Sequence, residues 1–138
     1  MQKEVRSEGS RVRSKEVRVK RAHHDLNVWQ EAMELVNMIY KISSRFPESE
    51  NYGLTNQIRR AAVSIPSNIA EGAARADSKE FLQYLSISRG SLSEVETQLL
   101  IAKNLGYSNN PDNVLEQIDK VFGLLGGLIN SLKERNKT

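Results

Sequence analysis

Three features of the sequence predict an all-α protein, an antiparallel up-down-up-down four-helix bundle carrying a disordered basic N-terminal arm. Apolar residues recur at three- and four-residue steps through four segments, the period of amphipathic helices. Only three prolines and eight glycines punctuate the 138 residues, which leaves long stretches without breakers. The first 24 residues have neither the periodicity nor the apolar content to bury a face, so ordering them, at about 1 to 2 kcal/mol per residue, has nothing to offset it. The expected division is therefore an arm over residues 1–24 and a bundle domain over residues 25–138, with room for one core.

The first helix is expected to start at Asp25 or Asn27, either of which can cap it. Its apolar face is read as Leu26, Trp29, Met33, Val36 and Tyr40, with Trp29 as a core anchor, and Phe46-Pro47 closes it. A second helix is expected from about Glu50 to Ala73, burying Leu54, Ile58, Ala61, Ala62, Ile65 and Ile69, with a kink at Pro66. Asp77-Ser-Lys-Glu80 has the spacing of a capping box and opens the third helix. Phe81, Leu85, Ser88, Leu92, Val95, Leu99 and Ala102 then form a bundle seam. Gly90, in a run of small residues, suggests a close backbone approach, and Gly106 terminates the helix. Asn110-Pro111 starts the fourth helix, which runs to about Lys133 with Val114, Ile118, Val121, Leu125, Leu128 and Leu132 as its seam. Leu115, Phe122 and Ile129, with Leu124, add a second apolar row, which is either a wide core face or a surface for subunit contact.

Charge is segregated along the chain. Residues 1–24 hold eight basic side chains against three acids, a balance of +5, whereas residues 25–138 hold 12 basic groups against 14 acidic ones, a balance of −2. An arm of this kind releases counterions on a phosphate backbone without needing a fold. The candidate nucleic-acid contacts are Arg11, Arg13, Lys15, Arg18, Lys20 and Arg21 in the arm, and Arg59, Arg60, Arg75 and Arg89 in the body. RNA or DNA is the expected partner, bound without sequence specificity, with a protein-interaction scaffold as the alternative.

One polar stripe bears on both readings. Gln57, Arg60, Ser64, Asn68, Glu71 and Arg75 share a side of the second helix. They form either a ligand or nucleic-acid surface, or a hydrogen-bonded layer within or between bundles that meets Glu94 and Gln98. The layer is favoured because both charge signs occur in it.

Other chemistry is poorly served. Without cysteine there is no disulfide, thiolate metal site or thiol nucleophile. His23-His24-Asp25 lacks further ligands nearby, so no metal or cofactor is expected. Glu94 and Glu96 point in different directions on a helix, and the bundle offers no histidine to activate a serine, so no enzymatic activity is expected. No apolar run approaches the roughly 18 residues of a membrane span and the N-terminus has no signal-peptide core, which leaves a cytoplasmic protein without membrane contact as the expectation.

Three stretches carry a family resemblance. They are Leu26-Asn-Val-Trp-Gln-Glu-Ala-Met-Glu-Leu-Val36, then Tyr52-Gly-Leu-Thr-Asn-Gln-Ile-Arg-Arg-Ala-Ala-Val-Ser-Ile-Pro-Ser-Asn-Ile-Ala-Glu-Gly72, and Glu80-Phe-Leu with Gly90-Ser-Leu-Ser-Glu-Val-Glu-Thr-Gln-Leu99. Over about residues 24–132 the chain resembles the bacterial four helix bundle proteins, also described as 23S ribosomal RNA intervening-sequence proteins. The resemblance implies an up-down-up-down bundle assembled as a homopentameric ring, with no established reaction. Accessory proteins of diversity-generating retroelements look like relatives. They are basic pentamers that bind nucleic acid and a reverse transcriptase, and this chain differs from them in its slightly acidic body.

Overall fold

A computed structural model describes residues 18–136. Four helices account for most of them: α1 (Asn27–Ser43), α2 (Leu54–Ala73), α3 (Ser78–Asn104) and α4 (Asp112–Asn136). Short 3-10 turns at Ala22–Asp25 and Glu48–Glu50 precede α1 and α2, and there is no strand among the described residues. Each helix packs on its two neighbours around a square, α1 on α2 and α4, α3 on α2 and α4, and the backbones of the diagonal pairs lie further apart. The α2–α3 pair lies closest.

The core is continuous and almost wholly aliphatic. Leu35, Ile39, Ile58, Ile65 and Ile69 from the first two helices meet Leu85, Leu92, Leu99, Ile118 and Leu125 from the last two, all fully buried. Helices α2 and α3 bury the faces expected of them, including Ser88 at the centre of the seam, except that Leu54 and Phe81 at their starts are only partly buried. Pro66 is buried within α2, which continues through it. Asp77 caps α3, its carboxylate accepting from the Lys79 amide at 2.9 Å. At the other end Gly106 takes φ +78°, and Tyr107 N–H donates to the Ala102 carbonyl at 2.9 Å while Gly106 N–H donates to that of Lys103 at 3.0 Å. This paired closure is what a left-handed residue makes possible, so glycine fits there without strain.

Three expectations need correction. The buried face of α1 is Val28, Ala32, Leu35 and Ile39, one residue round from the one expected; Met33 and Tyr40 are each 43% exposed. Trp29 is only partly buried, packed on the edge of the core and against the rings of His23 and His24, at centroid distances of 4.8 and 5.5 Å. Period alone does not choose between two apolar rows that lie side by side on one helix. Second, a Cβ placed on Gly90 meets nothing within 4 Å, so this glycine marks no close approach within the chain. The close approach is at Gly72, where an added Cβ lies 2.8 Å from both Phe81 Cδ1 and Tyr84 Cβ. Third, Ile129 replaces Leu128 in the buried seam of α4, with Leu128 partly buried beside it.

The expected arm is described only in part. Ala22–Asp25 form their 3-10 turn against α1 and α2, held by the Gln30 amide, which donates to the His24 carbonyl at 2.8 Å. Residues 1–17, with Arg11, Arg13 and Lys15, lie outside the described residues.

Candidate functional site

Because small side chains let α2 and α3 approach, the polar groups along their shared edge come within hydrogen-bonding reach. Ser88 Oγ, fully buried, donates to the Ile65 carbonyl at 2.9 Å. One turn along, the Ser64 and Ser91 hydroxyls are 2.8 Å apart, and Asn68 Nδ2 donates to Ser64 Oγ at 3.0 Å. Beyond this ladder the edge widens into an open groove of about 540 Å³. Gln57 and Arg60 of α2 line one side and Glu94 and Gln98 of α3 the other, with Tyr52, 98% exposed, at the end.

The polar stripe therefore faces Glu94 and Gln98 across the groove without a hydrogen bond to either, and the two halves of the layer differ. The serine and asparagine half is closed. In the other half Gln98 Oε1 is buried without a hydrogen-bond partner, which costs about 1 to 3 kcal/mol for an unsatisfied group. Arg60 and Glu94 bring opposite charges to the groove, so it is suited to a polar protein surface more than to a polyanion.

The body arginines fall into two classes. Arg59 serves the end of α1: its Nε donates to Ser43 Oγ at 2.8 Å and a terminal nitrogen donates to the Tyr40 carbonyl at 3.2 Å, with the guanidinium 4.6 Å from the Tyr40 ring centre. Arg75 is held by the Glu71 carboxylate at 3.1 Å and by Tyr84, whose hydroxyl accepts at 2.7 Å. Arg60 and Arg89 are exposed and make no ion pair with a described residue. In the described part of the arm, Lys20 pairs with Asp25 at 2.9 Å, Arg21 donates to the Val19 carbonyl, and Arg18 is exposed. The structure does not bring the four body arginines together.

A second cavity, about 590 Å³, opens at the end of the bundle where α1 finishes and the α3–α4 loop crosses. Lys41 and Arg45, absent from the candidates that the sequence suggests, belong to it. The signal is present as two cations four residues apart near a helix end, but nothing in the sequence brings the distant loop to them. Next to this cavity Glu50 fastens two loops. Its Oε1 accepts from the Leu54 amide at 3.0 Å, and its Oε2 accepts from the Tyr107 hydroxyl at 2.8 Å. These bonds hold the Glu50 carboxyl below its ordinary range, the Leu54 amide contributing most, and the same contact raises the Tyr107 phenol. No group of three or more metal-ligating side chains occurs among the described residues.

The comparisons with known proteins bear on this arrangement directly. The family model for 23S rRNA-intervening sequence proteins matches residues 24–127, from the Ala22–Asp25 turn well into α4. The chain belongs to this family. A comparison with curated proteins found no match. The matched span contains the whole α2–α3 groove, the end cavity and all four body arginines of this 23S rRNA-intervening sequence protein, and leaves residues 1–23 outside. No helix among the described residues is long and apolar enough to cross a membrane.

Proposed function

We propose that this 23S rRNA-intervening sequence protein is a non-enzymatic, cytoplasmic oligomer, a homopentameric ring, that binds RNA or DNA through basic residues without reading sequence. The observation that carries the nucleic-acid reading is charge segregation: eight of the 20 basic residues stand in the first 24, while the remaining body is slightly acidic. Five such arms on one assembly turn modest single-arm attraction into avidity wherever they contact one strand together. The family's name, which refers to 23S ribosomal RNA, agrees with RNA as the polyanion.

Assembly is supported by features that a lone bundle leaves unexplained. The second apolar row of α1 reaches solvent at Met33 and Tyr40, and α3 exposes Ile87, Leu100 and Ile101. The buried Gln98 oxygen lacks a donor, and a neighbouring subunit seated in the α2–α3 groove supplies one in this reading.

The test is titration of labelled RNA with the full chain and with two variants at two salt concentrations. Substituting Arg11, Arg13 and Lys15 with Gln is expected to weaken binding about uniformly across sequences. It should also flatten the salt dependence by roughly one unit of slope for each cation withdrawn from a phosphate. Arg60→Gln with Arg89→Gln is expected to have the smaller effect. No salt-dependent binding by the parent chain would leave the protein-interaction scaffold as the better account, and light scattering that gives a monomer would remove the ring.

A further inference from the structure

The cavity at the end of the bundle has walls of different chemistry. Lys41 and Arg45 stand on the α1 side, and neither forms an ion pair with a described residue. The α3–α4 loop and the first turn of α4 add Asn109, Asn110 and Asn113 to its lining. Met38, Ile42 and Val114 give it an apolar floor, and all three belong to or pack on the core. No aspartate or glutamate lines the cavity.

This wall also has a simpler use, since cations in the last turn of a helix offset its dipole. The dipole, however, requires neither a cavity nor asparagines in its lining. Two unpaired cations favour an anion of phosphate type. The amides offer paired donor and acceptor atoms, as a heterocycle edge needs. The apolar floor suits a flat ring, and a volume of about 590 Å³ lies within the ordinary range of small-molecule sites. Inorganic phosphate would leave floor and amides unused, and an aliphatic chain would leave the amides unused.

We infer that this cavity is a binding site for a nucleoside monophosphate group, with Lys41 and Arg45 on the phosphate and Asn109 and Asn113 on the base. The group comes either as a free nucleotide or as one unpaired nucleotide of a single strand. The site shares no residue with the arm or with the α2–α3 groove, so it and the proposed long-RNA binding can be broken by separate substitutions.

The experiment follows backbone and side-chain amide NMR signals of the full chain during titration with the four nucleoside monophosphates, adenosine, inorganic phosphate and a short single-stranded oligonucleotide. Saturable shifts at Gly106, Asn109 and Asn113 with a nucleotide, stronger than with adenosine or phosphate, are the expected result. Lys41→Gln and Arg45→Gln, both on exposed positions, are each expected to weaken it roughly tenfold, the loss of one hydrogen bond to a charged group. Circular dichroism shows whether each variant keeps its helices, and Asn113→Ala gives a second, uncharged disruption. Response to free nucleotides alone, or to the oligonucleotide as well, identifies the source. The inference is overturned if no nucleotide saturates these signals, if phosphate alone binds as tightly, or if a folded Lys41→Gln/Arg45→Gln double variant binds like the parent.

Discussion

Helices α2 and α3 are joined differently from α1 and α4. The first pair meets through small residues and directed contacts: Ser88 on the Ile65 carbonyl, Ser64 against Ser91, and Gly72 beneath Phe81 and Tyr84. The second pair brings large aliphatic side chains to the core, and its polar link lies at the rim, where Gln117 donates to the carbonyl and Oε1 of Glu31, both at 2.9 Å. Small residues sacrifice apolar area but bring backbones close enough for hydroxyl-to-carbonyl bonds, which tolerate little axial sliding. Large side chains contribute more burial and accept more adjustment. One seam thus sets register through its hydroxyl bonds while the other is held mainly by apolar packing, and the groove lies on the seam whose register is fixed.

The largest expected loss is on the apolar seam. Leu35→Ala removes a fully buried side chain from α1 and should cost about 2 to 5 kcal/mol, read from denaturant unfolding. A loss below about 1 kcal/mol, on the order of a surface change, would mean that α1 is not the anchored element described. Next comes the register side, where the sign is the informative part. Helix propensity alone predicts that Gly72→Ala stabilises by roughly 1 kcal/mol, but the new Cβ lies 2.8 Å from Tyr84 Cβ, an atom next to backbone that cannot swing away. Net destabilisation of about 1 to 3 kcal/mol is expected. Gly90→Ala, with open space around it, should instead stabilise by roughly 0.5 to 1 kcal/mol. Equal signs for the two glycines would erase the distinction drawn between the seams.

The smallest effects concern the carboxylates that link elements on each side. Glu31 is held below its ordinary range mainly by the Gln117 amide and further by Lys120, and Glu50 by the Leu54 amide and then Tyr107. A carboxyl lowered on folding contributes stability above its unfolded pKa, and this is lost as pH falls through the folded value. Glu31→Gln and Glu50→Gln should therefore each flatten the decline in melting temperature on acidification below about pH 4.5, near the ordinary glutamate value. An unchanged acid limb in both variants would show that neither link contributes measurably.

Legibility in the sequence follows how many apolar rows each helix carries. Helix α3 is legible for most of its length because Leu85, Ser88, Leu92, Val95, Leu99 and Ala102 keep one period, whereas Phe81 at its start is only partly buried and Ser91 is buried beside the seam. Helix α1 carries two adjacent rows, and its sequence reads one residue out of phase, since choosing between them depends on where α2 and α4 lie. The stripe from Gln57 to Arg75 is visible in the sequence, as are Glu94 and Gln98 as its counterparts. What the arginines do is not, because Arg59 meets Tyr40 and Ser43 from another helix. The end cavity is hidden for the same reason, with Lys41 and Asn109 brought together only by the fold.

The turn ahead of α1 has a spectroscopic consequence. Trp29 is the sole indole in the chain, and two imidazoles lie against it. Imidazolium quenches indole emission whereas neutral imidazole does so far less, so fluorescence intensity reports the protonation of His23 without any added label. Burial, with help from the His24 and Arg21 charges, holds the His23 pKa down, so its share of the quenching belongs below the ordinary imidazole midpoint of about 6.5. Since Arg21 directly precedes that turn, a polyanion engaging the arm would bring negative potential close to His23, favour its imidazolium and dim the same signal. The junction of arm and bundle is thereby its own optical probe of what the arm touches.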